Sequence, residues 1–229
     1  MTHLKPSSRQ AGLTLIELLV AMLMVSILFV AVYRIFNLGL TTSMETSTRA
    51  DLDTETQKVQ QLMVNRIKEA DRFVAPTAVT FQDTQSAGQT AYLPASTLSA
   101  QQIVVVRLPS KNSPDLCDLY AYYVVPSEAL ANAALPIQRR LAQATPGAVS
   151  LIEGRNATPF QCTSSSYPAI SQLRLLHPSL RSNTGFVVNA YSIAGVQKGV
   201  VFSLQGHRQA GSRTITAHSY QVKVLARNL

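Results

Sequence analysis

Residues 10–34, QAGLTLIELLVAMLMVSILFVAVYR, decide the fold of this 229-residue chain. A short basic leader ends at Gly12, and an apolar run begins at once with Leu13. As an α-helix, the run from Leu13 to Tyr33 is about 31 Å long, which is enough to cross a bilayer core of roughly 30 Å. A single carboxylate, Glu17, lies inside it. Because a charge within a membrane span is costly, this position indicates a function.

The order of leader and apolar run separates this segment from a secretory signal peptide. Such a peptide is cut after its apolar region, whereas Gly12 precedes the region here. Cleavage at Gly12 therefore leaves the apolar helix on the mature chain. Lys5 and Arg9 predict a cytoplasmic N-terminus, with the rest of the chain in the periplasm or an equivalent exterior compartment. The alternative is an ordinary single-pass anchor with a chance carboxylate.

The string Gly12-Leu13-Thr14-Leu15-Ile16-Glu17 resembles the class III signal of type IV prepilins and of type II secretion pseudopilins. The resemblance implies that a membrane-embedded prepilin peptidase cuts after Gly12 and methylates the new N-terminus at Leu13. It also implies that Glu17 pairs with the N-terminal amine of a neighbouring subunit during filament assembly. The family more often has Phe than Leu at the first mature position.

A long helix is expected beyond the membrane segment, because no proline occurs between Leu13 and Ala75. We expect one helix from about Leu13 to Phe73, about 90 Å long, ended by Pro76. The segment Thr41–Thr48 is poor in strong helix formers and is the expected place for a bend or local melting. An apolar stripe at three- and four-residue spacing predicts docking on a sheet: Leu52, Val59, Leu62, Met63, Ile67 and Ala70.

The remainder of the chain predicts β-strands and loops. Leu119–Val125 is apolar on both faces, which is typical of a central strand. A bulge near His218–Ser219 would explain a change of phase within Thr214–Leu225. A hairpin turn is expected within 194–199, a loop at Asn156–Pro168 and a turn at Ser113–Asp115. The other expected strands are Val79–Phe81, Ile103–Leu108, Ile137–Leu141, Ala148–Ile152, Ile170–Leu176 (ended by His177-Pro178), Phe186–Ile193 and Val200–Leu204.

These elements predict an α+β fold with four segments. Residues 1–12 form the leader, 13–36 the transmembrane and assembly helix, and 37–75 an amphipathic continuation of that helix. Residues 76–229 form a periplasmic β-rich globular domain, a usual size for one domain with its own core. A long N-terminal helix packed on a C-terminal antiparallel sheet domain is also the lollipop fold that the pilin resemblance implies.

Two cysteines, Cys117 and Cys162, are the only ones in the chain. In an oxidising exterior compartment such a pair indicates a disulfide, and the alternative is two free buried thiols. A metal site is not expected, because there is no C-x-x-C and the histidines have no ligand spacing near either cysteine.

The sequence offers little that indicates catalysis. It has no G-x-S-x-G elbow, and His207 and His218 lack an orienting acid beside Ser212 or Ser219. We therefore expect no enzyme and no cofactor. The formal net charge of +8 is scattered along the chain, which favours a solvated basic surface over a DNA or anionic-lipid site. Asp115 and Asp118, which flank Cys117, fit a solvated turn better than a cation site.

A filament subunit is therefore the leading hypothesis, namely a minor type IV pilin similar to PilW-like proteins. The chain is longer than most shaft subunits of the family, and its cysteines lie in the middle of the domain. The partners implied are other pilins or pseudopilins, the prepilin peptidase, the inner-membrane assembly platform and membrane lipid. The alternatives are a J-type pseudopilin of a type II secretion system and a DNA-binding subunit of a competence pilus.

Overall fold

The computed structural model describes residues 14–82, 100–111, 113–128, 147–210 and 213–227. It divides into two compact units, Met1–Thr46 and Ser47–Leu229. We call them the N-terminal unit and the C-terminal unit. Helix α1, Leu15–Glu69, contributes its first part to the N-terminal unit and its second part to the C-terminal unit.

Helix α1 is 55 residues long and continues without interruption through Thr41–Thr48. The hydroxyls of Thr41, Thr42 and Thr46 each donate a hydrogen bond of 2.8–2.9 Å to the carbonyl four residues earlier. Because these side chains satisfy their polar groups within the helix, they do not draw the backbone into another conformation. The prediction of local melting in this segment is therefore wrong, and its alternative, a bend, stays a prediction.

The C-terminal end of α1 lies at Glu69, four residues before the predicted end at Phe73. The Asp71 amide donates to the Arg107 carbonyl at 3.0 Å, and the next three residues form strand β1, Arg72–Val74. Pairing with a neighbouring strand thus ends the helix before Pro76 can do so. Pro76 instead begins a short 3-10 helix, Pro76–Ala78.

Among the described residues, the main sheet contains six strands, and all of its strand pairs are antiparallel. Its order is β1-β2-β3-β4-β6, and β5 pairs with the first part of β3. Every residue from Leu119 to Val125 is buried, which confirms the prediction of a central strand. The strands are β1 Arg72–Val74, β2 Ile103–Ser110, β3 Ser113–Pro126, β4 Val149–Asn156, β5 Phe160–Gln161 and β6 Ile170–Leu180.

The described part of the C-terminal unit also contains two smaller antiparallel sheets. One has the order β11-β8-β7, and the other pairs β9 with β10. The prediction of a single bulged strand over Thr214–Leu225 is wrong, because the chain leaves β10 and enters β11 in a different sheet. The change of phase marks this switch between sheets. The strands are β7 Phe186–Ile193, β8 Val196–Leu204, β9 His207–Ala210, β10 Arg213–Thr216 and β11 Tyr220–Leu225.

The β7–β8 turn is shorter than predicted. Only Ala194 and Gly195 separate the strands, with φ values of 51° and 80°. Positive φ at both central residues defines the type I′ turn that suits a two-residue hairpin.

Strand β6 also differs from its prediction, because it continues through His177-Pro178 to Leu180. Proline is tolerated there since β6 is the last strand in the sheet order, and its register with β4 shifts near Leu151.

Three of the remaining predictions are also corrected by the structure. Ser113–Asp115 begins β3 instead of forming a turn, because Leu116 and Cys117 pair with β5. The expected loop over Asn156–Pro168 contains that strand. The expected strand at Val79–Phe81 reduces to a single parallel bridge between Phe81 and Ile170. The strand predicted at Ile137–Leu141 lies outside the described residues.

The second part of α1 packs on one face of the main sheet and on the three-stranded sheet. The predicted stripe forms this contact: Leu52, Val59, Met63, Ile67 and Ala70 are buried, and Leu62 is half-buried. Thr56 and Gln60 are also buried. At the Leu52–Thr56 turn, Gly206 lies so close that a Cβ there would be 2.7 Å from the Thr56 hydroxyl oxygen. A second apolar cluster covers the other face of the main sheet.

Candidate functional site

The start of α1 carries the candidate assembly site. Thr14 is the residue before the helix, and Glu17 is its third residue. The Thr14 amide and hydroxyl both donate to Glu17 Oε2 at 3.0 Å, and the Glu17 amide donates to Thr14 Oγ1 at 3.3 Å. This reciprocal arrangement is a capping box, which satisfies backbone amides that have no partner inside the helix. The Thr-x-x-Glu spacing could have predicted it from the sequence alone.

Glu17 therefore has a structural role in addition to any role in assembly. Its side chain is exposed, and its carboxylate lies at the positive end of the helix dipole. The predicted processing residues Gly12 and Leu13 lie outside the described residues, immediately before Thr14.

The surface that follows Glu17 is almost entirely apolar. Every Leu, Ile, Val, Met, Phe and Tyr side chain from Leu15 to Met44 is at least 48% exposed. Among the described residues, α1 is the one helix that is long and apolar enough to cross a bilayer. An exposed apolar surface of this length needs lipid or other protein helices around it.

The structure pairs Cys117 with Cys162, with their Cα atoms 5.1 Å apart. Cys117 lies on β3, and Cys162 directly follows β5, which pairs with the same strand. The Cys162 amide donates to the Asp115 carbonyl at 3.0 Å. The disulfide thus fixes the β5 segment against the central strand.

A buried ion pair joins this segment to the end of α1. Arg107 donates to both carboxylate oxygens of Asp71 at 2.6–3.1 Å and to the Cys162 carbonyl at 2.6 Å. Hydrogen bonding to Asp71 raises the pKa of Arg107, against the effect of burial. Arg107 holds the helix end, β2 and the disulfide in one arrangement.

The three histidines within the described residues occupy different environments. His218 is exposed and lies 3.0 Å from the Asp53 carboxylate. His207 is partly buried, and burial lowers its pKa. His177 is buried, and burial, with a contribution from Arg208, lowers its pKa to about 4. The described residues contain no group of three or more His, Cys, Asp or Glu side chains that could hold a metal ion.

Asp115 and Asp118, both expected in a solvated turn, lie in two different environments. Asp118 is buried on β3 and forms an ion pair with Arg155 at 3.1 Å, so only Asp115 is exposed. The tyrosines of β3 give no exposed stacking surface for nucleic-acid bases, because Tyr120, Tyr122 and Tyr123 are buried.

A comparison with protein families decides what the N-terminal segment is. Residues 7–33 match the family described as the prokaryotic N-terminal methylation motif. The chain carries a class III prepilin signal. The match includes Gly12, Leu13 and Glu17, and it supports a type IV pilin or a pseudopilin. Searches of curated proteins and of solved structures found no significant match to the chain.

The class III prepilin signal agrees with the architecture of the described residues. One long apolar helix continues into a unit built from antiparallel sheets, which is the predicted α+β pilin fold. Proteins with this signal are structural subunits that are processed by the prepilin peptidase and assemble with other pilins.

Proposed function

We propose that this protein is a minor type IV pilin, a low-abundance subunit that primes assembly or lies at the pilus tip. The observation that carries the proposal is the start of α1, where Glu17 is the one carboxylate in an exposed apolar surface that continues to Met44. Similarity to PilW-like minor pilins is part of this proposal. The disulfide and the buried ion pair of Arg107 support a rigid unit outside the cytoplasm.

The proposed topology places the chain in the inner membrane with its N-terminus in the cytoplasm. The prepilin peptidase removes residues 1–12 and methylates Leu13. Residues 13–36 remain in the bilayer, residues 37–75 continue outward, and residues 76–229 lie in the periplasm. The proposed boundary at 75 separates segments by location, since α1 itself ends at Glu69.

Assembly then transfers the apolar helix from lipid to a bundle of pilin helices at the filament core. Lipid tails are as apolar as leucine, so close packing and polar pairing drive this transfer. In the bundle, Glu17 pairs with the N-terminal amine of a neighbouring subunit. A charge without such a partner in an apolar bundle is costly, so the pairing sets the register of the incoming subunit.

The test is a strain lacking the gene, complemented with the wild type, with Glu17→Ala and with Asp51→Ala. Asp51 is an exposed carboxylate on the same helix and serves as the matched control. We expect Glu17→Ala to be processed to mature length but to be absent from sheared pili, while Asp51→Ala is incorporated. Normal incorporation of Glu17→Ala contradicts the proposed role.

A second variant, Gly12→Leu, tests the proposed cleavage by the prepilin peptidase. Gly12→Leu is expected to remain in the membrane as the uncut chain, heavier by the leader, because the peptidase needs the glycine. Intact mass spectrometry of the membrane fraction measures this directly. Mature-length protein in that variant contradicts the assignment of Gly12 and Leu13.

The J-type pseudopilin is the second candidate, because the methylation motif is common to pilins and pseudopilins. The same deletion strain separates them. Loss of surface pili with normal secretion supports the minor pilin, and loss of secretion with normal pili supports the pseudopilin. Loss of transformation alone, with salt-dependent DNA binding by the full chain, supports the competence-pilus subunit.

A further inference from the structure

A polar pocket lies beside the C-terminal end of α1, in the C-terminal unit. Its volume is about 260 Å³, and it opens between α1, the β2–β3 turn and the paired strands β3 and β4. Arg66 and Glu69 reach it from α1, and Lys111 from the turn. Tyr120 and Arg155, directly opposite each other on β3 and β4, form its floor together with Asp118.

Two guanidinium groups of this pocket are held on the Tyr120 ring. The Arg66 guanidinium carbon lies 4.4 Å from the ring centroid, and that of Arg155 lies 5.5 Å from it. Tyr120 is buried, so the ring is a fixed platform for both cations. Arg155 is held further by its ion pair with Asp118 at 3.1 Å. Both groups are therefore ordered before a ligand arrives, which lowers the entropy cost of binding.

The charges that line the pocket do not cancel. Arg66, Lys111 and Arg155 supply three cations, whereas Glu69 and Asp118 supply two carboxylates. Asp118 is buried and engaged with Arg155, so it does not neutralise the outer cations. Burial alone would lower the pKa of Arg66. The electrostatic effects of Tyr120, Tyr122 and Glu153 are larger in sum, so the pKa of Arg66 is raised. The lining residues thus carry one positive charge in excess, and the nearby Glu153 carboxylate, which acts on Arg66, brings the surroundings of the pocket close to neutral.

A second observation concerns polar atoms on the pocket floor that lack hydrogen bonds. The Arg155 Nε atom is buried and has no hydrogen-bond partner within the described part of the chain. The ion pair with Asp118 uses a terminal nitrogen of the same guanidinium group, and the Asp118 Oδ1 atom of that pair also lacks a hydrogen bond. A donor and an acceptor are therefore both unsatisfied here. Buried polar atoms normally find a partner, so this end of the helix–sheet contact has room for a polar ligand or for water.

We propose that this pocket binds a carboxylate. A guanidinium group binds a carboxylate through two parallel N–H···O bonds, and Arg66 is the arginine not already used by Asp118. Because the surroundings of the pocket are close to neutral, a monoanion fits them better than a phosphate dianion does. Lys111, on the exposed turn, supplies a second attractive charge at the mouth. This inference does not depend on the filament assignment.

The bound carboxylate can belong to an acidic side chain of another protein or to a free carboxylic acid. The experiment uses the full chain in a non-ionic detergent and four probes: acetate, the capped peptide acetyl-Gly-Glu-Gly-amide, its Gln counterpart and inorganic phosphate. Affinity is measured by calorimetry and by chemical shifts of labelled arginine side chains. The variants are Arg66→Gln and Lys111→Gln, with Lys58→Gln as the matched control on the same helix.

We expect the Glu peptide or acetate to bind, and Arg66→Gln to weaken that binding by about tenfold or more. Lys58→Gln removes the same charge from an exposed position outside the pocket and is expected to change affinity less than about twofold. Stronger binding of the Glu peptide assigns the site to a protein side chain, and stronger binding of acetate assigns it to a free acid.

Several results overturn the proposal. The first is that neither acetate nor the Glu peptide binds at concentrations up to about 10 mM. The second is that phosphate or the Gln peptide binds more tightly than both carboxylates. The third is that Arg66→Gln and Lys58→Gln lose affinity to the same extent. Should Arg66→Gln fail to fold, Lys111→Gln replaces it in the comparison, because Lys111 is exposed on a turn. An unchanged affinity in that variant then contradicts the site.

Discussion

His177 makes the stability of the C-terminal unit depend on pH below neutrality. The Ser179 amide donates to His177 Nδ1 at 3.2 Å, so the proton of the neutral ring is on Nε2, 3.4 Å from the Thr56 hydroxyl oxygen. A second proton would remove the acceptor of Ser179 and place a charge in a buried position near Arg208. Burial therefore lowers the pKa of His177 to about 4.

The direction of the effect follows from the two pKa values. In the unfolded chain the imidazole has its ordinary pKa of about 6.5. In the folded chain its pKa is about 4, so the ring takes up a proton only at lower pH. The free energy of unfolding therefore falls as pH decreases from 6.5 to 4 and then levels off. A shift of this size corresponds to about 3 kcal/mol in total, of which about 2 kcal/mol is lost between pH 7 and about pH 4.5.

The matched variant is His177→Asn. An asparagine oxygen can accept the amide hydrogen two residues ahead, as Nδ1 does now, but the side chain binds no proton. Denaturant unfolding of the full chain in detergent, followed by tyrosine fluorescence since the chain has no Trp, gives the free energy of unfolding. We expect the advantage of the wild type over His177→Asn to shrink by about 2 kcal/mol from pH 7 to about pH 4.5.

Comparing the two proteins cancels the titration of all other groups that the substitution leaves alone. A difference that stays constant within about 0.5 kcal/mol across this range would refute the reasoning. It would mean that the folded chain accepts the proton on His177 as readily as the unfolded chain does.

The same unfolding assay tests three further predictions. Replacing Cys117 and Cys162 together by serine should cost about 4 kcal/mol, because the disulfide closes a loop with a sequence separation of 45, and an unchanged midpoint would contradict this. Asp71→Asn should cost about 3 kcal/mol by leaving buried Arg107 without its counter-charge, and a loss below about 1 kcal/mol would show that the Cys162 carbonyl suffices. Gly206→Ala should cost about 1–3 kcal/mol, since its Cβ would lie 2.7 Å from a threonine oxygen on α1, and a neutral result would mean that the helix can shift.

The sequence predicts the elements whose cause is local. An apolar run of membrane length, and a stripe with helical spacing, define α1 regardless of what surrounds it. The run Leu119–Val125 is apolar on both faces, and a strand of this kind is stable only where both faces are covered. Its burial therefore also follows from its own residues.

The errors occur where a distant partner decides the outcome. The end of α1 is set by Arg107, which is 36 residues away from Asp71 in the sequence. The switch of sheets after β10 depends on β8, whose pairing with β11 cannot be seen in the alternation of Thr214–Leu225. Periodicity reports which face of a strand is buried but does not report which sheet contains it.

The sequence does not predict the candidate carboxylate pocket, because its residues also come together only through distant partners. Arg66, Tyr120 and Arg155 belong to three elements that are far apart along the chain, and each residue alone is an ordinary arginine or tyrosine. Only the antiparallel pairing of β3 with β4, under the last turns of α1, brings the two guanidinium groups onto one ring.

Glu17 shows how a local and a distant interaction can share one side chain. Within its own chain the carboxylate already accepts two hydrogen bonds from Thr14, which makes its charge less costly in an apolar surrounding. In the proposed filament, a neighbour's N-terminal amine therefore adds a partner to an ordered carboxylate and is not the first partner of an isolated charge. Thr14→Val removes the hydroxyl but keeps the backbone donor, so it should weaken incorporation less than Glu17→Ala does. The capping box thus orients the carboxylate, and in the proposed filament the neighbouring subunit supplies the opposite charge.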